Sequence, residues 1–205
     1  MKKRIYFLIS LIITAALCMT GCIPGKIKAG GDSGIISQER AVTGFNGLVF
    51  SGVGDVNIYQ SDYYRVTVKA NSSIQDLIET EVSNDILYIR VRYNRWFENG
   101  FNPLELSIDI YMPELTSVRV NGSGNLFLVN GRSQDLKMNV NGACKIEADN
   151  YEVRNLDITL SGASDAKIWA SSELSYRING VCNIHYKGNP ILNGRISGLG
   201  SIMPL

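Results

Sequence analysis

A handful of residues in this chain are of types that could do chemistry: two aspartates that share a position in a repeated phrase, a lysine between them, one histidine and two cysteines. Asp55 and Asp165 each stand three residues after a repeat glycine. A hydrolase would need its carboxylates about 5 to 9.5 Å apart across a glycosidic bond. Three stacked strands at ~4.8 Å separate these two by about 14 Å, so they do not form such a pair. Lys145 lies between them in the column and is placed to pair with Asp165, an exposed interaction worth under about 1 kcal/mol. His185, the only histidine, shares with Glu147 and Lys167 the column five after the glycine, which alternation turns away from the core. No nucleophile or second ligand accompanies it, so a general base is not expected there. Cys144 and Cys182 both stand two residues after a glycine, with the Ser164 repeat between them. A separation of two strands, roughly 9 to 10 Å, exceeds the reach of a disulfide, and two buried free thiols are predicted. Neither has histidine or further cysteine at ligand spacing. No catalytic residue, metal or cofactor is expected.

Binding chemistry is better represented. Between Arg92 and Pro103 the alternation breaks, and Tyr93, Trp96, Phe97 and Phe101 stand beside Arg92 and Arg95. A second cluster, Tyr59, Tyr63 and Tyr64, follows the first repeat. Aromatic rings with arginines can stack on sugars or anchor a protein partner, which makes Tyr63, Tyr64, Tyr93, Arg95, Trp96, Phe97 and Phe101 the candidate binding residues. The plainer expectation for the 92–103 loop is that it folds back over one end of the structure. Net charge is +1, which gives no argument for nucleic acid.

The element that must position these residues is a phrase occurring six times: FSGVGDVNI, VNGSGNLFL, VNGACKIEA, LSGASDAKI, INGVCNIHY and ISGLGSIMP. Its glycines are Gly52, Gly122, Gly142, Gly162, Gly180 and Gly198, the last five spaced 20, 20, 18 and 18 residues apart. That spacing is one coil of a β-solenoid. Two before each glycine come Phe50, Val120, Val140, Leu160, Ile178 and Ile196; four after come Val56, Leu126, Ile146, Ala166, Ile184 and Ile202. Period-two alternation turns both columns toward one core. Ser51, Asn121, Asn141, Ser161, Asn179 and Ser197 immediately precede the glycines and are predicted to form a structural ladder of hydrogen bonds that fixes the register. Small residues two after the glycine suit a tight corner. The 70 residues from the first glycine to the second read as longer strands, 64–70, 85–93, 104–112 and 117–121, in a wider section. No stretch has a capped helical period. An open end would leave strand backbone unpaired, so stacked ends could pair between molecules, and the oligomeric state stays open.

At the N-terminus, Lys2, Lys3 and Arg4 precede an apolar run from Ile5 to Met19, too short for a membrane span and typical of a secretory signal. Leu17-Cys18-Met19-Thr20-Gly21-Cys22 loosely resembles a bacterial lipobox, which would make residues 1–21 a lipoprotein signal peptide and Cys22 the lipidated N-terminus. Residues 22–34, rich in Gly and Lys, read as a flexible tether. Residues 35–205 read as one folded domain.

The order VFSGVGDVNIYQSDYYRVTVKAN, LYIRV, LSIDIYMPELTSVRVNGSGNLFL and then glycine-centred repeats resembles the auto-transporter adhesin head domain, or GIN domain, from about Gly34 to Leu205. Phe50-Ser51-Gly52, Met112-Pro113-Glu114-Leu115 and Val120-Asn121-Gly122-Ser123-Gly124 carry it most specifically. The resemblance implies a right-handed parallel β-helix on secreted or lipid-anchored bacterial proteins, and assigns no catalytic residue. Together these readings predict a right-handed parallel β-helix with coils of about 18–20 residues. Its expected role is non-enzymatic: a lipid-anchored cell-envelope adhesin or interaction module, held to the membrane by its lipid, at the outer membrane, the cell surface or the periplasmic face. Its ligand would be a glycan or a protein. The alternatives are a carbohydrate-active β-helix enzyme, and a structural or signalling envelope protein with a protein partner.

Overall fold

A computed structural model describes residues 34–92 and 105–205. Among these described residues nine strands follow in order: β1 Ile35–Arg40, β2 Gly47–Val53, β3 Asp55–Gln60, β4 Arg65–Asn71, β5 Ile78–Ser83, β6 Ile86–Val91, β7 Leu106–Met112, β8 Ser117–Lys187 and β9 Ile191–Pro204. A single 3-10 turn, Gln75–Leu77, precedes β5.

The purely parallel, right-handed β-helix expected from the repeat does not form. All nine strands belong to one mixed sheet in the order β1-β4-β7-β3-β8-β2-β6-β5, with β9 on β8, wrapped as a nearly closed barrel. The β1–β4, β4–β7 and β5–β6 pairings are antiparallel, whereas β2 and β3 pair in parallel with β8 and with β6 and β7 respectively. The reason is local. Asn84 and Asp85 both take positive φ, 50° and 61°, the backbone of a two-residue hairpin turn, and such a turn joins only antiparallel neighbours. Asn and Asp tolerate this conformation better than other side chains. The repeat phrase is absent from β4 through β7; of these strands β6 and β7 keep a parallel neighbour in β2 and β3, whereas β4 and β5 pair only antiparallel.

Within β8 and β9 the repeat does set the register. Gly122, Gly142, Gly162, Gly180 and Gly198 each stack on the backbone of the preceding repeat glycine. Phe50, Val120, Val140, Leu160 and Ile178 are buried, as are Val56, Leu126, Ile146, Ala166 and Ile184. Alternation along each strand thus supplies one continuous apolar core, with roughly 25 cal/mol gained per Å² of apolar surface removed from water. The polar column bonds where it begins: Asn121 donates to Ser51 at 3.5 Å and Asn141 to Asn121 at 3.1 Å. Asn179 lies in register with Ser197 further along.

β1 escapes sequence reading because four of the six residues Ile35-Ile36-Ser37-Gln38-Glu39-Arg40 are polar and do not alternate with apolar ones. It lies at the edge of the sheet, paired only with β4, and none of its residues is fully buried. It is fastened by the buried Gln75, whose amide donates to the carbonyls of Ile36 and Val68 at 2.9 and 3.1 Å and whose oxygen accepts from Arg40 at 3.1 Å. A buried amide so satisfied holds three segments together where a bare polar group would destabilise them.

Candidate binding surface

Strands β3, β4 and β7 turn Val56, Ile58, Val66, Val68, Ile108 and Ile110 into the core. The alternate residues therefore form an outer face. Register places Tyr59 beside Tyr111 and Tyr111 beside Arg65. The result is a row across three strands: the Tyr59 and Tyr111 rings stack at 4.6 Å and 10°, and the Arg65 guanidinium lies 4.2 Å over the Tyr111 ring. Tyr63, from the turn between β3 and β4, stacks on Tyr111 at 5.7 Å and 17°, with Arg65 5.5 Å from its ring centre. At 46% exposure, Tyr63 is the ring of this group with the most open surface. Stacked rings and a guanidinium hold one another in fixed orientations, an arrangement worth about 0.5–2 kcal/mol per contact.

One position along, the face becomes polar. Asp109 accepts from Lys69 at 2.6 Å and from Asn57 at 2.9 Å, and Asn57 also reaches Ser107 at 3.4 Å. The hydrogen bond to Asp109, helped by its charge, raises the Lys69 ammonium above its ordinary pKa. Burial first, and then the Asp109 charge, raises the Tyr59 phenol. Both groups therefore hold their protons across the physiological range. The surface offers fixed ring faces, hydroxyls and amide groups side by side, which is chemistry for holding a ligand.

The predicted site residues divide. Tyr63 joins this face, while Tyr64 packs against Phe45 at 4.9 Å and 55° and lines the core. Tyr93, Arg95, Trp96, Phe97 and Phe101 lie outside the described residues, as does Cys22. Tyr111 and Arg65 were not singled out from sequence. Tyr111 is turned outward by the alternation of β7, but its meeting with Tyr63 depends on pairing between strands far apart in the chain.

The residues considered for catalysis are dispersed. Asp55 accepts from the Asn125 side chain at 2.7 Å and Asp165 from Asn183 at 3.0 Å, with the Lys145 repeat between. Lys145 pairs with Glu147 at 2.8 Å, where a partner in Asp165 was expected, and Lys167 approaches the same carboxylate at 3.4 Å. The Lys145 hydrogen bond lowers the Glu147 pKa. Among the described residues no group of acidic, histidine or cysteine side chains is arranged to hold a metal. On another wall Asp135 and Asp157 line a shallow groove and are already bonded, to Asn155 at 2.9 Å and to Arg177 at 3.2 Å.

Cys144 and Cys182 are buried free thiols. Ser164 lies between them, accepting from the Cys144 amide at 3.2 Å. Burial pushes the Cys144 thiol up, partly offset by a backbone hydrogen bond. Both sulfurs are buried, so both thiols are expected to react with a disulfide reagent at least about a hundredfold more slowly in the folded protein than after unfolding. Rapid labelling in native conditions, read by mass spectrometry, would show that this part of the sheet opens readily.

No curated protein matches the chain. Among solved structures, a "putative adhesin" from Bacteroides fragilis superposes with a TM-score of 0.52 at 18% identity, covering 84% of this chain and 97% of its own. A "putative lipid binding protein" from Parabacteroides distasonis gives 0.48 at 18% identity, covering 85% and 98%. At these identities the first likeness shows the fold alone. The family described as "Putative auto-transporter adhesin, head GIN domain" matches residues 44–130 and again 117–190. Two matches that together run through strands β2 to β8 cover most of the folded region, and this chain belongs to that family.

Proposed function

We propose that this protein is a non-enzymatic binding module of the cell envelope, held to a membrane by lipid on Cys22, which engages its ligand through the outer face built by Tyr59, Tyr63, Tyr111 and Arg65. The observation that carries the proposal is that row of ordered rings and guanidinium beside the Asp109 hydrogen-bond group. Membership in an adhesin-head family supports a binding role and a place at the envelope. The engagement of Asp55 with Asn125 and of Asp165 with Asn183, three repeats apart, supports a function without turnover. No helix among the described residues is long and apolar enough to cross a membrane.

The test is binding of the full chain, in detergent, to arrays of glycans and extracellular matrix proteins. Selective binding is expected, and Tyr63→Ala/Tyr111→Ala should weaken it at least about tenfold, the scale on which aromatic anchors contribute to interfaces. Retained binding in this variant with loss in Trp96→Ala/Phe97→Ala would move the site to the 92–103 loop. Efficient glycan turnover would sink the non-enzymatic reading. Lipid attachment has its own outcome: Cys22→Ser should shift the protein from the membrane fraction to the soluble fraction, because one or more acyl chains supply about 0.8 kcal/mol per buried methylene.

A further inference from the structure

Each apolar column of the core loses its cover at β9. Leu174 and Ile178 of β8 are wholly buried, whereas their in-register partners Leu192 and Ile196 are 42% and 38% exposed. Along its whole length β9 pairs with β8 on one side only, and no described strand lies on the other. Edges of this kind are normally blunted by charges, prolines or bulges. In the fourteen residues of β9 the charge is a single arginine, Arg195, and the sole proline is the terminal Pro204.

The order of large and small residues on this edge identifies what would cover it. Register with β8 assigns Leu192, Gly194, Ile196, Gly200, Ile202 and Pro204 to the core-facing column. Reversed about Gly198, this column is complementary to itself: Ile196 falls opposite Gly200, Gly194 opposite Ile202, and Leu192 opposite Pro204. Large side chains then meet small ones at the four glycine contacts generated by symmetry, core-facing residues meet core-facing residues, and Arg195 falls opposite Ser201, well away from its own copy. An antiparallel pair built on a two-fold axis has this self-complementary form. We infer that β9 is the interface of a symmetric dimer in which two copies of this chain join end to end, pairing antiparallel about Gly198 and sealing both cores.

The size of the interface places it among the weak, transient associations. A standard interface buries about 800 Å² on each side with 20–30 residues, so fourteen residues supply roughly 500 Å² a side and about 1,000 Å² in all. That is at the low end for a specific complex, and a micromolar dissociation constant is expected; on the lipid attachment proposed above, copies sharing one membrane surface populate the dimer readily.

Sedimentation velocity on the full chain in detergent should give a monomer near ~1 μM and a dimer near ~100 μM, as a weak, low-end interface implies. Ile196→Lys, which sets a charge against the partner's small Gly200, should weaken association about a hundredfold or more while leaving the circular dichroism spectrum unchanged. Geometry is tested separately by mixing Arg195→Cys chains with Ser201→Cys chains. Opposed residues in an antiparallel pair have Cα atoms about 4.5–5.5 Å apart, within disulfide range. The mixture should form a 195–201 cross-link, identified by peptide mapping, and neither variant alone should form one through the new cysteine. A monomer at ~100 μM, open-ended oligomers, a cross-link in the single variants, or assembly only with a different protein would overturn the inference.

Discussion

Replacing Gly142 with alanine is expected to lower the melting temperature by roughly 12 °C. A Cβ at this position would overlap the carbonyl oxygen of Gly122 in the neighbouring turn, and the same contact recurs above and below, where Gly122 sits on Gly52 and Gly162 on Gly142. The φ of Gly142 is +144°, in a region that L side chains rarely enter. Backbone strain of this kind costs about 1–3 kcal/mol, and an overpacked contact that must push strands apart adds about 1–3 more. A combined loss near 4 kcal/mol converts at about 2–4 °C per kcal/mol for a body of this size. Gly44 is the control, because its φ is also positive, +74°, but a Cβ there would meet nothing within 4 Å. Gly44→Ala should therefore cost only the strain, about 1 kcal/mol. Thermal melts of the two variants separate the stacking requirement from the conformational one; equal losses would show that the glycine column is kept for φ alone.

Tyr151→Ala is expected to cost about 3–5 kcal/mol, the range for removing a large aromatic from a close-packed core. Tyr151 heads the fully buried side chains by volume. Its ring lies under Gly131, where a Cβ would reach it at 2.8 Å, so the ring and the glycine fit each other. The hydroxyl is satisfied too: Ser133 donates to the Leu115 carbonyl at 2.6 Å and lies 2.7 Å from the Tyr151 oxygen. Since the Ser133 proton is directed to Leu115, the tyrosine donates. Tyr151→Phe removes only that donor and should cost about 1 kcal/mol, the net worth of one such bond. The pair of variants, measured by chemical denaturation, divides the side chain into its packing and its polar parts. A Phe variant as unstable as the Ala variant would mean that the Ser133–Leu115 chain, rather than the ring, holds the wall together.

These two residues were not equally visible in the sequence. Gly142 belongs to a phrase that recurs at a near-constant interval, and recurrence is information the chain carries locally. Tyr151 stands alone between Asn150 and Glu152, in a stretch that reads as a turn and is continuous strand in the folded protein. Its partners Ser133 and Leu115 are 18 and 36 residues away, one turn of the sheet and nearly two. The candidate face divides the same way. Tyr63 could be picked out from its cluster, but Arg65 and Tyr111 become part of it only through the antiparallel β4–β7 register.

By itself the sequence determined the apolar columns of the first five repeats and how the repeats lie on one another. Alternation decides which side chains leave water, and the recurring glycines admit only one register in which each repeat glycine lies on the backbone of the one before it. Only the tertiary structure decided that the sheet is mixed and nearly closed. The return of β4 against β7 and the β5–β6 hairpin are set by turn backbone at a few residues, such as Asn84 and Asp85, and by hydrogen bonds between segments with no shared pattern. Their energies appear only when the distant strands meet. The same holds for the binding face, whose rings and charges come from three strands and acquire their geometry from the pairing rather than from their spacing along the chain.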